Sequence, residues 1–463
     1  MTPRNLLAGL TVLAVAMTAA ASLNVSSSGV IGGDDETEKG QGASLASSHG
    51  GVRADVDRPK PIFLLHERDK RIHGYKPFQE LIDKAPAGSV LQPPPGNYAG
   101  PVVVKKPLTI DGGGQVTIDA GDRGTVFSLE TDGATLRGLR LTGSGGSHDT
   151  DDSCLDVRGH RNTIENLTID NCLFGIDLKQ SNDNVVRGNR ISSKPYDLGV
   201  RGDALRLWYS YRNRVENNQI ADARDMVAWY SSNNVFRGNV GRRSRYSLHF
   251  MFANDNEVVD NRFYDNTVGI YLMYTERTHV RHNIVSHANG AAGMAVGFKE
   301  SSDAVVEDNE FIYCAVGVGS DLSPFQPNTT IQFRNNRFAY NGIAVHFTSE
   351  LGGNDFQNNI FEGNLTDVAQ SGRGKEVLNR WRDNYWDNYQ GFDRNGDGIG
   401  DTPHRYYAYA DQLWIEMPTA RFFKNSPVME LLDFLERLAP FSTPELQLKD
   451  DRPRFIKPAR TTS

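Results

Sequence analysis

Two methionines and a histidine are the residues of this chain best suited to bind a soft metal ion. His249 and Met251 are two positions apart, and Met273 follows on the next repeat of the chain. Residues two apart on a β-strand share a face, so an imidazole and a thioether would lie together there. Two thioethers and an imidazole favour Cu(I) over Mg²⁺ or Ca²⁺. The alternative is an apolar stripe covered by a partner or by another segment, because methionine is an adaptable filler.

Large aromatic residues fall in the same predicted columns. Trp208 and Trp229 precede Met251 and Met273 on successive repeats, and Tyr271 would flank the histidine. Neutral tyrosine is a poor metal ligand, and tryptophan could also stack against a sugar. We predict a partner-binding surface comprising Trp208, Trp229, Tyr271, Leu431 and Leu435.

A second candidate metal site is an acidic, glycine-containing loop near the C-terminal end. Oxygen ligands stand at loop positions 1, 3, 5 and 9, and position 7 would offer a backbone carbonyl. The twelfth position is histidine, where an EF-hand has glutamate. The pattern predicts calcium at Asp393, Asn395, Asp397, Ile399 and Asp401. The alternative is a cluster of Asx turns held by its own backbone bonds.

Carboxylates are the residues that an enzyme of this type would need. Glycoside hydrolysis requires two carboxyl groups about 5–9 Å apart, which adjacent repeats could supply. A uronate lyase, epimerase or hydrolase is therefore the alternative function. Arg158 and Lys179 each follow an aspartate by two positions, so surface ion pairs explain the same residues. The acidic candidates are Asp149, Asp151, Asp152, Asp156 and Asp177.

The element that must position these side chains is a repeat marked by asparagine. Repeats of just over 20 residues with β-branched and aromatic runs predict an all-β, right-handed parallel β-helix. Asparagine tolerates a left-handed corner, and its amide can bond to the asparagine of the next coil. The recurring residues are Asn189, Asn218, Asn239, Asn261, Asn283, Asn309, Asn336 and Asn359.

Four coils align around one strand of five residues. The aligned strands are Leu205–Tyr209, Met226–Tyr230, Leu248–Phe252 and Ile270–Tyr274. Their first, third and fifth positions are apolar, so we expect these side chains in the core. The second and fourth positions should face outward, and they include the candidate copper ligands.

The ends of the chain predict the compartment and the caps. We expect a cleaved signal peptide over 1–21, a flexible tether over 22–70, the β-helix over 75–375 and a separate C-terminal segment over 376–463. A short amphipathic helix over 78–84 should cap the solenoid. A second amphipathic helix, over 427–438, should dock a partner or cap the other end. The signal predicts a protein of the periplasm or cell exterior.

Charge and cysteine content narrow the function further. A net charge of −7 argues against nucleic acid as a partner. Three cysteines exclude a disulfide-rich scaffold. Cys154 and Cys172 are nearly one coil apart, so a disulfide and separate burial in the core both remain open. Cys314 is expected to have no partner.

Several segments resemble the NosD family. The resemblance covers nearly the whole chain after the tether, and the Leu248–Met251 segment and the C-terminal run carry it most specifically. The resembling segments are Gly202–Ser210, Arg245–Met251, Tyr271–Tyr274, Trp386–Asp393, Arg421–Phe423 and Leu431–Phe441.

This resemblance implies a copper-handling accessory protein rather than an enzyme. NosD proteins are periplasmic β-helix proteins that act with an ABC transporter, its permease and its ATPase, in maturation of nitrous oxide reductase during denitrification. They are thought to accept copper from a lipoprotein chaperone, so membrane association would come only through the transporter. The resemblance strengthens the case for transient Cu(I) at His249, Met251 and Met273, although it assigns no ligand.

Overall fold

A computed structural model describes residues 72–349, 352–371, 379–408, 426–427, 435 and 445–458. The predicted signal peptide and the whole of the predicted tether lie outside these residues, as does most of the predicted helix over 427–438, including Leu431. No helix in the described ranges is long and apolar enough to cross a membrane.

Parallel strands build a right-handed β-helix, which confirms the predicted fold class. One face is a 12-stranded parallel sheet that carries the candidate copper ligands, and we call it the site sheet. Its strands are Val102–Val104, Phe127–Leu129, Ser153–Val157, Phe174–Lys179, Leu205–Trp208, Asp225–Trp229, Tyr246–Met251, Val268–Met273, Met294–Lys299, Val316–Asp321, Ile343–Ser349 and Thr366–Gln370.

The remaining strands form a 27-stranded sheet that bends at the asparagine corner and so supplies two further faces. Before the corner lie Val90–Leu91, Thr163–Glu165, Val185–Arg187, Arg214–Glu216, Val235–Arg237, Glu257–Val259, His279–Arg281, Val305–Glu307, Ile331–Arg334, Asn354–Gln357, Arg380–Arg382 and Glu445–Asp450. After it lie Lys76–Pro77, Gly96–Ala99, Thr168–Cys172, Arg190–Ser193, Gln219–Ala221, Val240–Arg242, Arg262–Tyr264, Ile284–Ser286, Glu310–Ile312, Arg337–Ala339, Ile360–Glu362 and Tyr385–Trp386. Two long strands, Thr109–Asp119 and Thr135–Thr142, span both faces, and His404–Ala408 pairs antiparallel at the end.

The corner asparagines form a hydrogen-bonded ladder, as predicted. Asn189 Nδ2 donates to Asn218 Oδ1 at 2.9 Å, and the backbone N–H of Asn189 donates to the same oxygen at 3.0 Å. The pattern repeats coil after coil until Asn384 Nδ2 donates to Asp450 Oδ2 at 3.0 Å. Buried amides are thereby satisfied by the neighbouring coil, which fixes the register of the stack.

The left-handed residue at this corner is not the ladder asparagine, which corrects our expectation. Asn217 and Asp260 have φ of 54° and 58°. They stand immediately before the ladder residues Asn218 and Asn261. The preceding residue makes the turn, while the ladder asparagine uses its backbone N–H and side chain to bond with the adjacent coil.

The fifth strand position is also not in the core, where we expected it. Tyr209, Tyr230 and Phe252 have φ of 47°, 49° and 51° and are 40%, 37% and 41% exposed. A left-handed residue ends the in–out alternation of the strand and turns its side chain outward. These rings stack on one another at centroid distances of 4.9 and 5.2 Å, and Tyr274 continues the stack at 4.7 Å.

The first and third positions are buried as predicted, for example Leu248 and Phe250 at 0% exposure. At the N-terminal end, the helix Gln79–Lys84 places Ile82 in the core, which confirms the short capping helix. At the other end, Trp386 stacks on His404 with ring centroids 4.9 Å apart.

The cysteines resolve the alternative that the sequence left open. Cys154 and Cys172 form a disulfide with Cα atoms 5.6 Å apart. Cys314 is a buried free thiol, as expected.

Candidate metal centre

The two methionines are direct neighbours on adjacent strands of the site sheet. Met251 and Met273 are register partners, and Trp229 is the partner of Met251 on the other side. Parallel strands lie about 4.8 Å apart, so the two thioethers start from neighbouring positions on one face. Both methionines are partly exposed at the outer face of the solenoid.

His249 is a buried imidazole with neither ring nitrogen hydrogen-bonded. The residue is 7% exposed, and both Nδ1 and Nε2 are buried without a hydrogen-bond partner. Burial, followed by the charge of Arg245, lowers the pKa of His249 to about 4. The ring is therefore neutral at pH 7 and keeps a lone pair for a metal ion. A buried polar group without a hydrogen bond lowers the stability of the folded protein. His249 is therefore a candidate for binding something that the protein alone does not supply.

Two tyrosine rings pack against the histidine. The centroids of Tyr246 and Tyr271 lie 4.8 and 5.8 Å from that of His249. Burial raises the pKa of Tyr271 to about 12, so its phenol stays neutral. The position of Tyr271 beside the histidine agrees with the geometry that the sequence suggested.

A third thioether on this face was not predicted from the sequence. A Cβ at Gly297 would lie 2.6 Å from Met294 Sδ and 2.3 Å from Tyr271 Cδ2. The sulfur of Met294 and the ring of Tyr271 therefore pack together over the bare backbone of Gly297. The sequence feature that could have indicated this contact is Gly297, which is the register partner of Tyr271 on the next strand of the site sheet.

Two ion pairs with buried carboxylates adjoin His249, and sequence reasoning did not predict them. Asp225, at 2% exposure, accepts from Arg245 Nε at 3.1 Å, and its Oδ2 lies 4.0 Å from His249 Nδ1. Asp203, at 1% exposure, accepts from Arg224 Nε at 3.0 Å. Burial raises the pKa of Asp203, and the charge of Arg224 opposes that shift.

The tryptophans of the predicted partner surface are in contact. Trp208 and Trp229 are register partners, with ring centroids 5.5 Å apart. Trp229 Nε1 is buried without a hydrogen-bond partner. Leu435 is 43% exposed, whereas Leu431 lies outside the described residues. The two tryptophans thus lie directly beside the methionine pair.

The acidic candidates form an ion-pair network. Lys179 Nζ lies 3.1 Å from Asp151 and from Asp177, and 3.5 Å from Asp156. Arg206 lies 2.8 Å from Asp151 and donates to both oxygens of Asp177. Burial acts to raise the pKa of Asp151, but Arg206 and Lys179 outweigh it and hold that pKa below its ordinary value.

The other two acidic candidates lie in the loop that precedes this network. Asp152 is buried and accepts hydrogen bonds from the Ser147 N–H at 3.0 Å and the Thr150 hydroxyl at 2.7 Å. Asp149 is exposed. The buried carboxylate at this point therefore holds the loop together.

The acidic C-terminal loop is held by its own backbone bonds. Asp393 Oδ1 accepts from the Gly396 N–H at 2.8 Å, and Asp393 Oδ2 accepts from the Gly398 N–H at 2.9 Å. Asp397 Oδ1 accepts from the Ile399 N–H at 2.8 Å, and Asp401 Oδ2 from the Arg394 N–H at 2.8 Å. This is the Asx-turn arrangement, and calcium binding there stays a prediction.

No group of three or more His, Cys, Asp or Glu residues in the described ranges could hold a metal ion. The set of His249, Met251 and Met273 has a single histidine and two thioethers, so it differs in kind from such a group, and it stays a prediction.

Similar structures place the protein in the class of parallel β-helix proteins. The A-module of the Azotobacter vinelandii mannuronan C-5 epimerase AlgE6 matches with a TM-score of 0.51 at 16% identity, over 64% of this chain and 91% of that one. The catalytic domain of a GH87 α-1,3-glucanase matches with a TM-score of 0.50 at 13% identity, over 64% and 65%. At these identities the likeness concerns the fold alone.

The sequence comparisons are more specific. The family described as "Periplasmic copper-binding protein (NosD)" matches residues 194–391, which include all three candidate ligands. Proteins named "Probable ABC transporter binding protein NosD" match at 27% identity. The one from Stutzerimonas stutzeri covers 75% of this chain and 82% of its own length, and the one from Pseudomonas aeruginosa covers 74% and 83%. The chain is thus similar to the NosD family of periplasmic copper-binding proteins, over residues 194–391 by the family model and over about three quarters of its length by the two relatives.

Proposed function

We propose that this protein carries copper as cargo in the periplasm, holding Cu(I) transiently at His249, Met251 and Met273. We further propose that it receives the copper from a lipoprotein chaperone and acts with an ABC transporter in assembling the copper sites of nitrous oxide reductase. The observation that carries the proposal is a buried imidazole with both nitrogens unpartnered beside paired thioethers.

The chemistry of the three ligands suits a carrier. Thioethers are neutral and soft, so they favour Cu(I) without binding Mg²⁺ or Ca²⁺. A neutral imidazole adds one stronger donor. Three neutral ligands, two of them partly exposed methionines, leave room for a ligand from a donor or acceptor protein, which suits transfer better than permanent storage.

The names of the relatives support the transporter as a partner. The two NosD proteins are described as probable ABC transporter binding proteins. On this chain we propose Trp208, Trp229 and Tyr271, which are partly exposed, as the surface that contacts a partner, because aromatic residues are enriched where proteins bind one another. They adjoin the methionine pair, so a partner docked there could reach the copper.

Catalysis on a polysaccharide is less well supported. Asp151, Asp156 and Asp177 each have a cationic partner among Lys179, Arg158 and Arg206. A general acid needs a raised pKa, whereas the pKa of Asp151 is lowered. The NosD relatives are named as binding proteins, in agreement with an accessory role.

The test is an anaerobic Cu(I) titration of the intact protein against a competing chelator. We expect one bound Cu(I), lost in the double variant Met251→Leu/Met273→Leu, because leucine has nearly the same volume but offers no sulfur.

The matched control is Met226→Leu. Met226 lies on the strand next to that of Met251, but its side chain is 1% exposed and belongs to the core. Copper affinity should be unchanged in this variant. Unchanged copper binding in the double variant would contradict the ligand assignment.

A further inference from the structure

The environment of His249 carries an inference about which of its nitrogens binds metal, and it rests on the proposed function. In the described part of the chain, Asp225 is the acid whose carboxylate lies within 4.0 Å of a His249 nitrogen. The pair is Asp225 Oδ2 and His249 Nδ1. The distance exceeds a normal hydrogen bond by about 1 Å, so the ring or the carboxylate must move by about that much for the bond to form.

The carboxylate is held in place from the other side. Asp225 Oδ1 accepts from Arg245 Nε at 3.1 Å and from the Tyr246 N–H at 3.2 Å, and Arg245 Nη2 donates to Oδ2. The Arg245 guanidinium also lies over the Tyr246 ring, 4.8 Å from its centroid. These contacts keep Asp225 aimed at the imidazole.

A local irregularity of the sheet creates this arrangement. Asp225 pairs with Tyr246, but Val227 pairs with His249, so the later strand has one extra residue between the two pairings. The bulge brings Tyr246 to the outer face, where its ring contacts both His249 and Tyr271. Bulges of this kind commonly redirect side chains at functional sites.

Metal-binding histidines generally donate their second N–H to a carboxylate, which fixes the tautomer and orients the ring. We propose that Asp225 is the positioning residue of the copper site. It accepts the Nδ1–H of His249, selects that tautomer, and leaves Nε2 as the atom that binds Cu(I). Arg245 holds the Asp225 carboxylate in its orientation.

The first test reads the tautomer without metal. In the intact protein labelled with ¹⁵N-histidine, with the His249 signals assigned by a His249→Gln variant, we expect the Nδ1–H tautomer. In Asp225→Asn the carboxamide can donate to Nδ1, so the Nε2–H tautomer should take over. An Nε2–H tautomer in the unaltered protein, or no change in Asp225→Asn, would overturn the proposal whatever happens with copper.

The second test reads Cu(I) affinity. Loss of a carboxylate behind a metal-binding histidine typically costs about 10–100-fold in affinity, and we expect a loss of that size in Asp225→Asn. The control is Asp177→Asn. Asp177 is also a fully buried carboxylate paired with an arginine, but it lies three strands away from the strand of His249. That variant should retain the His249 tautomer and the affinity.

The two proposals fail in different ways. If the unaltered protein binds no Cu(I), the proposed function fails, and the copper role of Asp225 fails with it. If it binds Cu(I) through the methionines but Asp225→Asn binds equally well, only the positioning role is overturned. Thermal unfolding of each variant separates these outcomes from a general loss of folding.

Discussion

At the residue scale, the candidate site combines features that the sequence predicts with others that it does not. Alternation along a strand and constant register between coils are enough to bring Met251 next to Met273. The same rules do not predict that Asp225 faces His249, because that contact depends on a bulge. A bulge shifts the register by one residue without changing the apolar pattern around it, so the pattern does not indicate that a bulge is present.

Gly297 gives a residue-scale prediction. A Cβ at this position would lie 2.3 Å from Tyr271 and 2.6 Å from Met294 Sδ, so Gly297→Ala must displace one or both. We expect a loss of about 1–3 kcal/mol in the free energy of unfolding, measured by urea denaturation. Fluorescence of the adjacent aromatic residues should change as well.

The control for Gly297 is Gly199→Ala. No atom lies within 4 Å of a Cβ at Gly199, and its φ is ordinary for any residue. Its stability should be unaltered to within about 0.5 kcal/mol. Equal stability of the two variants would show that Tyr271 does not depend on the bare backbone beneath it.

At the element scale, the coil is defined by its corners as much as by its core. The asparagine ladder follows from the spacing in the sequence, because only a polar side chain that both donates and accepts can continue from coil to coil. The outward turn of Tyr209 and Phe252 does not follow from apolar patterning. It depends on a left-handed backbone at the strand end, where apolar type no longer indicates burial.

Breaking the ladder at its centre gives the element-scale prediction. Asn261 Nδ2 donates to Asn283 Oδ1 at 2.9 Å and to the Phe236 carbonyl at 2.9 Å, and Asn261 Oδ1 accepts from Asn239. Asn261→Ala leaves several buried groups unsatisfied, each costing about 1–3 kcal/mol. We expect roughly 3–5 kcal/mol of destabilisation by urea denaturation.

Asn289→Ala is the matching change at an exposed position. It should alter the free energy of unfolding by less than about 0.5 kcal/mol. If Asn261→Ala were as mild as this control, the ladder would have no important part in stability.

At the scale of the whole molecule, a solenoid is stabilised by contacts between neighbouring coils, so its ends need caps. The sequence predicts the N-terminal helix from its amphipathic spacing. It does not predict that His404 stacks on Trp386 at the opposite end, because the antiparallel pairing of His404–Ala408 with Glu445–Asp450 joins segments far apart in the chain.

This cap gives a prediction about pH. Burial lowers the pKa of His404 to about 4, against about 6.5 in an unfolded chain. The unfolded state therefore binds a proton first, and stability is lost as pH falls from about 6.5 towards 4. His404→Phe keeps the stack on Trp386 and removes the titrating group. We expect it to lose about 2 kcal/mol less stability than the unaltered protein between pH 7 and pH 4.5.

This prediction concerns the difference in unfolding free energy between His404→Phe and the unaltered protein at each pH. Burial raises the pKa of Asp450, which acts in the opposite direction in both, and His249 contributes equally to both. Parallel curves of unfolding free energy against pH would mean that His404 is not protonated on unfolding in this range.

Similarity to the NosD family and the geometry around His249 lead to one central claim, that Cu(I) is held by two thioethers and one imidazole. X-ray absorption at the copper edge, on the intact protein loaded with one equivalent of Cu(I), tests this most directly. We predict two sulfur neighbours and at least one nitrogen neighbour, with the sulfur contribution lost in Met251→Leu/Met273→Leu and retained in Met226→Leu. A copper environment of nitrogen and oxygen alone, or sulfur neighbours that persist in the double variant, would contradict the claim.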